Sequence, residues 1–192
     1  MRLIRRRVVY KGRIIRLVQD TLQADGRRLV RETVQHPGSV VVVPITDDGR
    51  IVFVRQYRRA VGLTLLELPA GTLDHQGELP AACARRELEE ETGWRARRWR
   101  RLGRFYPAPG FLDEQMVMFL AEGLVQTAAH PEPDELIEPV VLSFRQALAG
   151  IASGRICDAK SIIGILFAQR RRTARTRRSR PRRSLEVARK LR

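Results

Sequence analysis

Short apolar stretches bounded by glycine, aspartate or proline dominate the first third of the chain. Residues 8–18 and 28–34 are rich in Val, Ile and Leu, and residues 24–26 (Ala-Asp-Gly) lie between them. This pattern predicts an N-terminal β-hairpin. Residues 40–45 and 51–54 form a second apolar pair around an Asp-Asp-Gly turn, which predicts a hairpin in the core.

Helical spacing appears first after residue 79. Pro80 suits the first position of a helix, and Gly93 suits the position just beyond its last turn. Between them Ala81, Ala84 and Leu88 recur at helical spacing and predict a buried stripe.

The remaining elements alternate between strand and helix. Residues 65–70 and 115–121 predict strands, and residues 144–153 and 158–171 predict helices, the second with Asp158 as its N-cap. The sum is an α/β fold in which a mixed sheet lies between helices.

The net charge of +16 is concentrated at the C-terminal end. Residues 170–192 hold twelve Arg or Lys and one Glu, and they lack apolar periodicity, so we predict a disordered basic tail there. Such a tail favours weak, non-specific contact with nucleic acid. No aromatic residues lie among its arginines to stack on bases, which favours a solvated terminus instead.

Two cysteines, Cys83 and Cys157, are too few for a disulfide framework and fit a reducing cytoplasm. No apolar run is long enough to span a membrane. The arginines near the start are not followed by the apolar segment of a signal peptide, so we expect a cytoplasmic protein with no membrane contact.

The predicted helix of residues 80–92 carries four glutamates within five positions. Glu87 and Glu91 lie one turn apart on the same face, with Glu90 beside them. Like charges at this spacing destabilise a helix, whereas clustered carboxylates suit Mg²⁺, or Mn²⁺ in its place. The preceding loop brings backbone groups close to these carboxylates, and the carbonyl of Ala70 is a candidate additional ligand.

This segment resembles the Nudix box, G-x5-E-x7-R-E-U-x-E-E-x-G-U, in which U is an aliphatic or aromatic residue. The defined positions are filled by Gly71, Glu78, Arg86, Glu87, Leu88, Glu90, Glu91, Gly93 and Trp94. Six residues rather than five separate the first two of these, and the spacing from Glu78 onward is unbroken. The resemblance implies the Nudix α/β/α sandwich and hydrolysis of a nucleoside diphosphate linked to another group.

The resemblance also implies roles for the box residues. Glu87 and Glu91 would bind the catalytic metal, and Glu90 would bind a further metal or orient water. Arg86 would hold the carboxylates in place, and Glu78 would support the loop.

Three further segments, around residues 54–58, 67–71 and 106–114, resemble the ADP-ribose pyrophosphatase branch of the family. By that resemblance Pro109 marks an ADP-ribose substrate, and Glu114 would close over the site as base or metal ligand. The other candidate substrate-binding residues are Arg58, for the diphosphate, Tyr57 and Phe111, for stacking on adenine, and Glu67.

The predicted organisation has three parts. Residues 1–36 would reach across a homodimer to bind substrate, as the resemblance implies, residues 37–169 would be the Nudix domain, and residues 170–192 the tail. The predicted reaction is Mg²⁺-dependent hydrolysis of ADP-ribose to AMP and ribose 5-phosphate. Alternatives are another nucleoside diphosphate sugar such as GDP-mannose, capped RNA, or a nucleotide-sensing regulator that contacts nucleic acid through the tail.

Overall fold

The structure is a computed structural model that describes residues 1–129 and 136–179, with side chains to Thr173. Its elements in chain order are β1 (Arg2–Lys11), β2 (Arg16–Ala24), β3 (Arg27–Gln35), β4 (Ser39–Ile45), β5 (Arg50–Arg58), β6 (Leu63–Glu67), β7 (Ala70–Thr72), α1 (Pro80–Thr92), β8 (Trp94–Phe105), β9 (Met116–Gln126), β10 (Ile137–Ser143), α2 (Phe144–Ala152) and α3 (Ala159–Ser179).

The central sheet has seven strands with the order β10-β5-β4-β9-β8, and β6 and β7 pair with β5 and β4. β4 and β9 are parallel, and the other pairs are antiparallel. The unbroken apolar run of β4 is the sequence expected of a strand that is covered on both faces.

Alternate residues of β4 enter two separate cores. Val41 and Val43 pack in a core shared with α2 and α3, whereas Val40 and Val42 pack in a core shared with α1. This alternation follows from the two-residue period of a strand. The sheet therefore lies between α1 on one face and α2 and α3 on the other, which confirms the predicted α/β/α sandwich.

The N-terminal sheet has three strands in the order β1-β2-β3, not the predicted two. The expected continuous strand over residues 8–18 is wrong because the chain turns at Gly12, whose N–H donates to the carbonyl of Ile15 at 2.9 Å. Apolar residues lie on both sides of this turn, so the sequence pattern does not reveal it. The predicted turn at Asp25-Gly26 is confirmed, with positive φ at both residues.

β8 and β10 were not predicted from the sequence. β8 reads WRARRWRRLGRF, and its arginines obscure the alternation of a strand. Trp94, Ala96 and Trp99 pack on the α1 core, and Leu102 and Phe105 pack on the core of α2 and α3.

The ends of the helices follow their local signals, but the predicted buried stripe of α1 is wrong at Ala81, which is exposed, whereas Ala84 and Leu88 are buried. α1 begins at Pro80 and ends before Gly93, which adopts a φ of 67° and donates its N–H to Glu89. Asp158 caps α3 by accepting the N–H of Ser161 at 3.1 Å, as predicted.

α3 continues to Ser179, so the predicted start of a disordered tail at residue 170 lies inside a helix. Arginine and alanine favour helix, and the first proline beyond this point is Pro181. Residues 180–192 of the predicted tail, and the acidic turn expected near residues 131–135, lie outside the described residues.

No helix in the described part of the chain is both long enough and apolar enough to cross a bilayer.

Candidate active site

Arg86 is the centre of the acidic cluster on α1. Its Nη1 lies 2.8 Å from Glu87 Oε1 and 2.9 Å from Glu90 Oε2. Its Nε and Nη2 each donate to Glu78 at 3.1 Å. The hydrogen bond to Glu78, with attraction from Glu87 and Glu90, raises the pKa of Arg86, and the same guanidinium lowers the pKa of Glu78. One fixed cation thus gathers three carboxylates from the helix and the loop before it.

Gly71 allows the loop to contact this cluster. A Cβ at this position would lie 2.0 Å from the carboxyl carbon of Glu87, so a side chain is excluded. The adjacent Ala70 donates its N–H to Glu91 Oε2 at 3.1 Å, and Glu91 is 3% exposed. The loop therefore meets the two carboxylates predicted to bind metal, and Ala70 contacts Glu91 through its N–H.

The donor set of the cluster suits a hard divalent cation, because Glu87, Glu90 and Glu91 supply carboxylate oxygens within two helical turns. Arg86 occupies one oxygen of Glu87 and one of Glu90. Within residues 1–129 and 136–179, no three acidic, His or Cys side chains already converge as metal ligands. A cation would therefore be held by reoriented carboxylates, with Arg86 retained as their support.

A pocket of about 320 Å³ opens beside Ala70 and Gly71. Three of the predicted site residues line it, namely Arg58, Ala70 and Glu114. Four polar residues in its wall were not predicted for this site: Ser39, Thr72, Asp158 and Lys160. β4, β5, β7, the start of α3 and the loop before β9 therefore all contribute to one pocket.

Glu67 lies beneath the pocket wall and is 2% exposed. Its carboxylate accepts from Arg58 Nη2 at 2.6 Å and from Lys160 Nζ at 2.5 Å. Burial raises the pKa of Glu67, but the two cations overcome this effect and the net shift is downward. The predicted role of Glu67 in substrate binding can then act only through the cations that it holds, since its own oxygens are covered.

Lys160 was missed by sequence reasoning, although a signal existed. The chain has 34 arginines and only three lysines, and Lys160 directly follows the N-cap region of α3. Its side chain is 12% exposed, and its Nζ also lies 3.0 Å from Asp158 Oδ2. The Lys160 ammonium thus lies between the carboxylates of Glu67 and Asp158 and contacts both.

The two carboxylate oxygens of Asp158 differ in their hydrogen bonds. Oδ2 accepts from Lys160 Nζ and Ser161 N. Oδ1 is buried and has no hydrogen-bond partner among the described groups. A buried acceptor of this kind is normally satisfied, so a water or a ligand hydroxyl fits here.

Glu114 lies on the opposite side of the pocket. Its Oε1 accepts from Ser39 Oγ at 2.5 Å and lies 3.8 Å from His36 Nδ1. The hydroxyl of Ser39 was not predicted, since a serine that begins a buried strand gives no functional signal. The loop glutamate is therefore held toward the pocket rather than left in solvent.

Backbone contacts from the end of β3 fix the loop that carries Glu114. Val34 N–H donates to the carbonyl of Phe111 at 2.7 Å, and Asp113 N–H donates to the carbonyl of Val34 at 3.1 Å. The N–H of His36 donates to the Asp113 carboxylate at 2.8 Å. The N-terminal sheet and the loop are thus joined directly before Glu114.

Three predicted substrate-binding residues lie outside the pocket wall. Tyr57 and Phe111 are 47% and 59% exposed, and Pro109 is exposed. Pro107, two residues earlier, lines the pocket instead. The structure therefore places these three residues at the surface, outside the residues that line the pocket.

Comparison with known proteins agrees with this geometry. The chain is 38% identical over 164 residues to an ADP-ribose pyrophosphatase of Bacillus subtilis, which covers 84% of this chain and 88% of that protein. It is 36% identical over 148 residues to a GDP-mannose pyrophosphatase of Yersinia pestis, which covers 69% and 70%. A solved ADP compounds hydrolase superposes with a TM-score of 0.80 at 21% identity, covering 91% of this chain and 95% of that one, which supports the fold.

The family model described as NUDIX domain matches residues 35–162, a range that contains α1, the pocket and the start of α3. The family predicted from the box is confirmed by this match and by the relatives. The chain therefore belongs to the NUDIX domain family and is a Nudix hydrolase.

Proposed function

We propose that this protein hydrolyses the diphosphate of ADP-ribose to AMP and ribose 5-phosphate with the help of Mg²⁺. The observation that carries the proposal is the placement of two cations, Arg58 and Lys160, in one pocket beside the acidic cluster of α1. A diphosphate needs cationic groups for its oxygens and carboxylates for a divalent ion. The name of the 38% identical B. subtilis relative supports the same substrate.

Each residue of the site has its own role in the proposed reaction. Arg58 and Lys160 bind phosphate oxygens, and Arg86 holds Glu87 and Glu90 in position. Glu114 accepts a proton from the attacking water, whose oxygen bonds to one phosphorus while the bridging P–O bond breaks and the leaving phosphate takes up a proton. Glu90 is the alternative acceptor for that proton. The divalent ion, held by Glu87, Glu91 and Glu90, would neutralise phosphate oxygens and acidify the water.

The two ends of the substrate have different surroundings. Asp158 Oδ1, buried without a partner among the described groups, suits a hydroxyl of the terminal ribose. Tyr57 and Phe111, which are exposed outside the pocket wall, are the rings assigned to stacking on adenine, and Pro109 lies on the same loop as Phe111. These assignments complete the substrate-binding role that the sequence predicts.

GDP-mannose is the second candidate substrate because of the 36% identity to a GDP-mannose pyrophosphatase, and it ranks below ADP-ribose because the B. subtilis relative matches more of the chain. The chemistry at the diphosphate would be unchanged, and only the base and the sugar would differ. A nucleotide-sensing regulator is not favoured, because the carboxylates of the box are complete and its arginine support is formed. Weak nucleic-acid contact through the tail stays a prediction about residues 170–192.

We also infer a homodimer built through the N-terminal sheet. All ten residues of the edge strand β1 are exposed, among them Leu3, Val8, Val9 and Tyr10 at 47–57%. Five of its ten residues are apolar and five are Arg or Lys, and an exposed edge of this length with apolar side chains is a surface that proteins normally cover. Light scattering should give twice the 22.0 kDa of one chain, and a monomer mass would remove this inference.

A cytoplasmic location is part of the proposal, since Cys83 and Cys157 are both free thiols.

The test is a turnover assay of the purified protein with Mg²⁺ and ADP-ribose, GDP-mannose, NADH or capped RNA, in which nucleotide release is followed by chromatography. Dominant AMP release from ADP-ribose is the expected result. Faster release of GMP from GDP-mannose would favour the second substrate. A folded protein that turns over none of the four would overturn the proposal.

A further inference from the structure

A second cleft, of about 900 Å³, lies at the other end of β4 from the active-site pocket. Ser39, the first residue of β4, lines the pocket, and Ile45, the last, lines the cleft, which places the two sites about 20 Å apart along the strand. α3 connects the same two places, since Lys160 lines the pocket and Arg172 lines the cleft. Neither the family assignment nor the proposed reaction uses this cleft.

Four arginines from two elements line this cleft. β8 contributes Arg98 and Arg100, and α3 contributes Arg171 and Arg172. The register of β8 explains the first pair, because Arg100 is opposite Leu120 of the α2–α3 core while the intervening Trp99 packs in the α1 core. Strand alternation therefore directs Arg98 and Arg100 to the face that α3 covers.

The guanidinium groups of the cleft are incompletely neutralised. Among the described residues, no carboxylate forms an ion pair with Arg98, Arg100 or Arg171. Asp48 on the cleft's rim is instead held by Arg50 at 2.7 Å. Asp47 and Glu122 also line the cleft, so four cations face two carboxylates that are not held by Arg50. A local excess of positive charge results.

One of the arginines is already held in position. The Arg172 guanidinium lies 5.1 Å from the centre of the Phe144 ring, in a cation–π contact. Ile45, Leu120 and Ala168 line the cleft beside it. Because the Arg172 guanidinium is held before binding, less side-chain entropy is lost when an anionic ligand binds beside it.

We propose that this cleft is a second ligand site, for a small phosphate-rich anion such as a nucleotide or a short inorganic polyphosphate chain. Guanidinium groups bind phosphate oxygens in pairs, and a concave site of this volume suits a small ligand. Extended nucleic acid would instead follow the exposed basic edge of β8, which includes Arg97 and Arg101 outside the cleft. Those two arginines supply a matched control.

The experiment is a calorimetric titration with sodium tripolyphosphate in EDTA, made on the full chain and on two double variants. Arg98→Ser/Arg100→Ser removes two cleft arginines, and Arg97→Ser/Arg101→Ser removes the same charge from the same strand outside the cleft. We expect two binding events in the unaltered protein, one at the active-site cations and one at the cleft. The cleft variant should weaken the second event by about tenfold or more, and the control should retain it.

Substrate turnover and circular dichroism of both variants should equal those of the unaltered protein, because all four arginines are exposed and distant from the pocket. Equal weakening in the two variants would overturn the proposal, since it would indicate diffuse attraction along β8. A single binding event in the unaltered protein would overturn it too. A single-stranded RNA that binds more tightly than tripolyphosphate, and equally to both variants, would identify a nucleic-acid surface instead.

Discussion

Two charged clusters flank the active-site pocket, and they are built in opposite ways. One surrounds the buried carboxylate of Glu67, which holds Arg58 and Lys160, and Lys160 also contacts Asp158. The other surrounds the cation of Arg86, which holds three carboxylates. In the first an anion positions cations, and in the second a cation positions anions.

The clusters differ in balance. The first pairs two cations with two carboxylates, whereas the second places three carboxylates on one cation, with the buried Glu91 nearby. In a balanced buried cluster each charge has a partner, so removal of one member leaves an uncompensated charge and destabilises the fold. An unbalanced one keeps negative charge together against repulsion and is stabilised further by an added cation. Substitutions in each cluster test this difference.

Glu67→Gln should give the largest loss of stability. It leaves Arg58 and Lys160 beside the pocket without their shared carboxylate, and removal of one partner of a buried ion pair costs roughly 3 kcal/mol. Urea denaturation would measure the free energy of unfolding. Glu138→Gln is the matched control, because Glu138 forms an exposed pair with Arg55 and should change stability by less than about 1 kcal/mol. Equal effects of the two variants would mean that Glu67 is not the centre of its cluster.

Glu91→Gln should leave the fold intact and abolish hydrolysis. Glutamine still offers an oxygen to the N–H of Ala70, but the metal site loses a charge, so kcat should fall by at least about a hundredfold. Mg²⁺ should raise the Tm of the unaltered protein and not that of the variant.

The control for Glu91→Gln is Glu89→Gln on the same helix, since Glu89 pairs with Arg95 at 2.6 Å. It should keep both the turnover and the Mg²⁺ effect. A Glu91→Gln protein with near-normal kcat would show that the acidic cluster is not the metal site.

Lys160→Met should raise KM for ADP-ribose by about tenfold and change kcat less, because the lost contact binds phosphate before and during reaction. Steady-state kinetics in Mg²⁺ would separate the two constants. Arg145→Met, which removes a cation from an exposed position on α2, should leave both unchanged. An unchanged KM in Lys160→Met would restrict Lys160 to a structural role under Glu67.

Acid should weaken the Glu67 cluster. The folded-state pKa of Glu67 lies below its ordinary value of about 4.3, so its contribution is complete above that pH and is lost as pH falls through the folded-state pKa. The stability difference between the unaltered protein and Glu67→Gln should therefore shrink below about pH 4. Denaturation curves between pH 3 and pH 6 would measure it, and a constant difference would contradict the lowered pKa.

The sequence predicted one of these clusters far better than the other. Glu87, Glu90 and Glu91 lie on one helix, so their spacing predicted the acidic cluster, and the family resemblance supplied Glu78 and the supporting role of Arg86. The Glu67 cluster joins β5, β6 and α3, and Lys160 is 93 residues from Glu67. Sequence spacing cannot predict such a contact, because the sheet topology creates it.

The fold divides in the same manner. Caps and turns were predictable at Pro80, Gly93 and Asp158, where a single residue type has a local cause. β8 was not, because six of its twelve residues are arginines, and pairing with β9 and the packing of its two tryptophans hold it in place. The turn at Gly12 was hidden by apolar neighbours. Caps and turns with a local cause could be predicted from the sequence, whereas pairing between distant segments could not.

The hydrogen bonds between Val34 and the Phe111–Asp113 loop have a consequence for how this enzyme can be altered. Val34 and His36 hydrogen-bond to the segment that carries Glu114, so this end of the N-terminal sheet supports that loop. A chimera that exchanges the N-terminal sheet, or a shortened form that starts at β4, would also change the support of that glutamate. The N-terminal sheet and the loop that carries Glu114 therefore have to be kept or exchanged together.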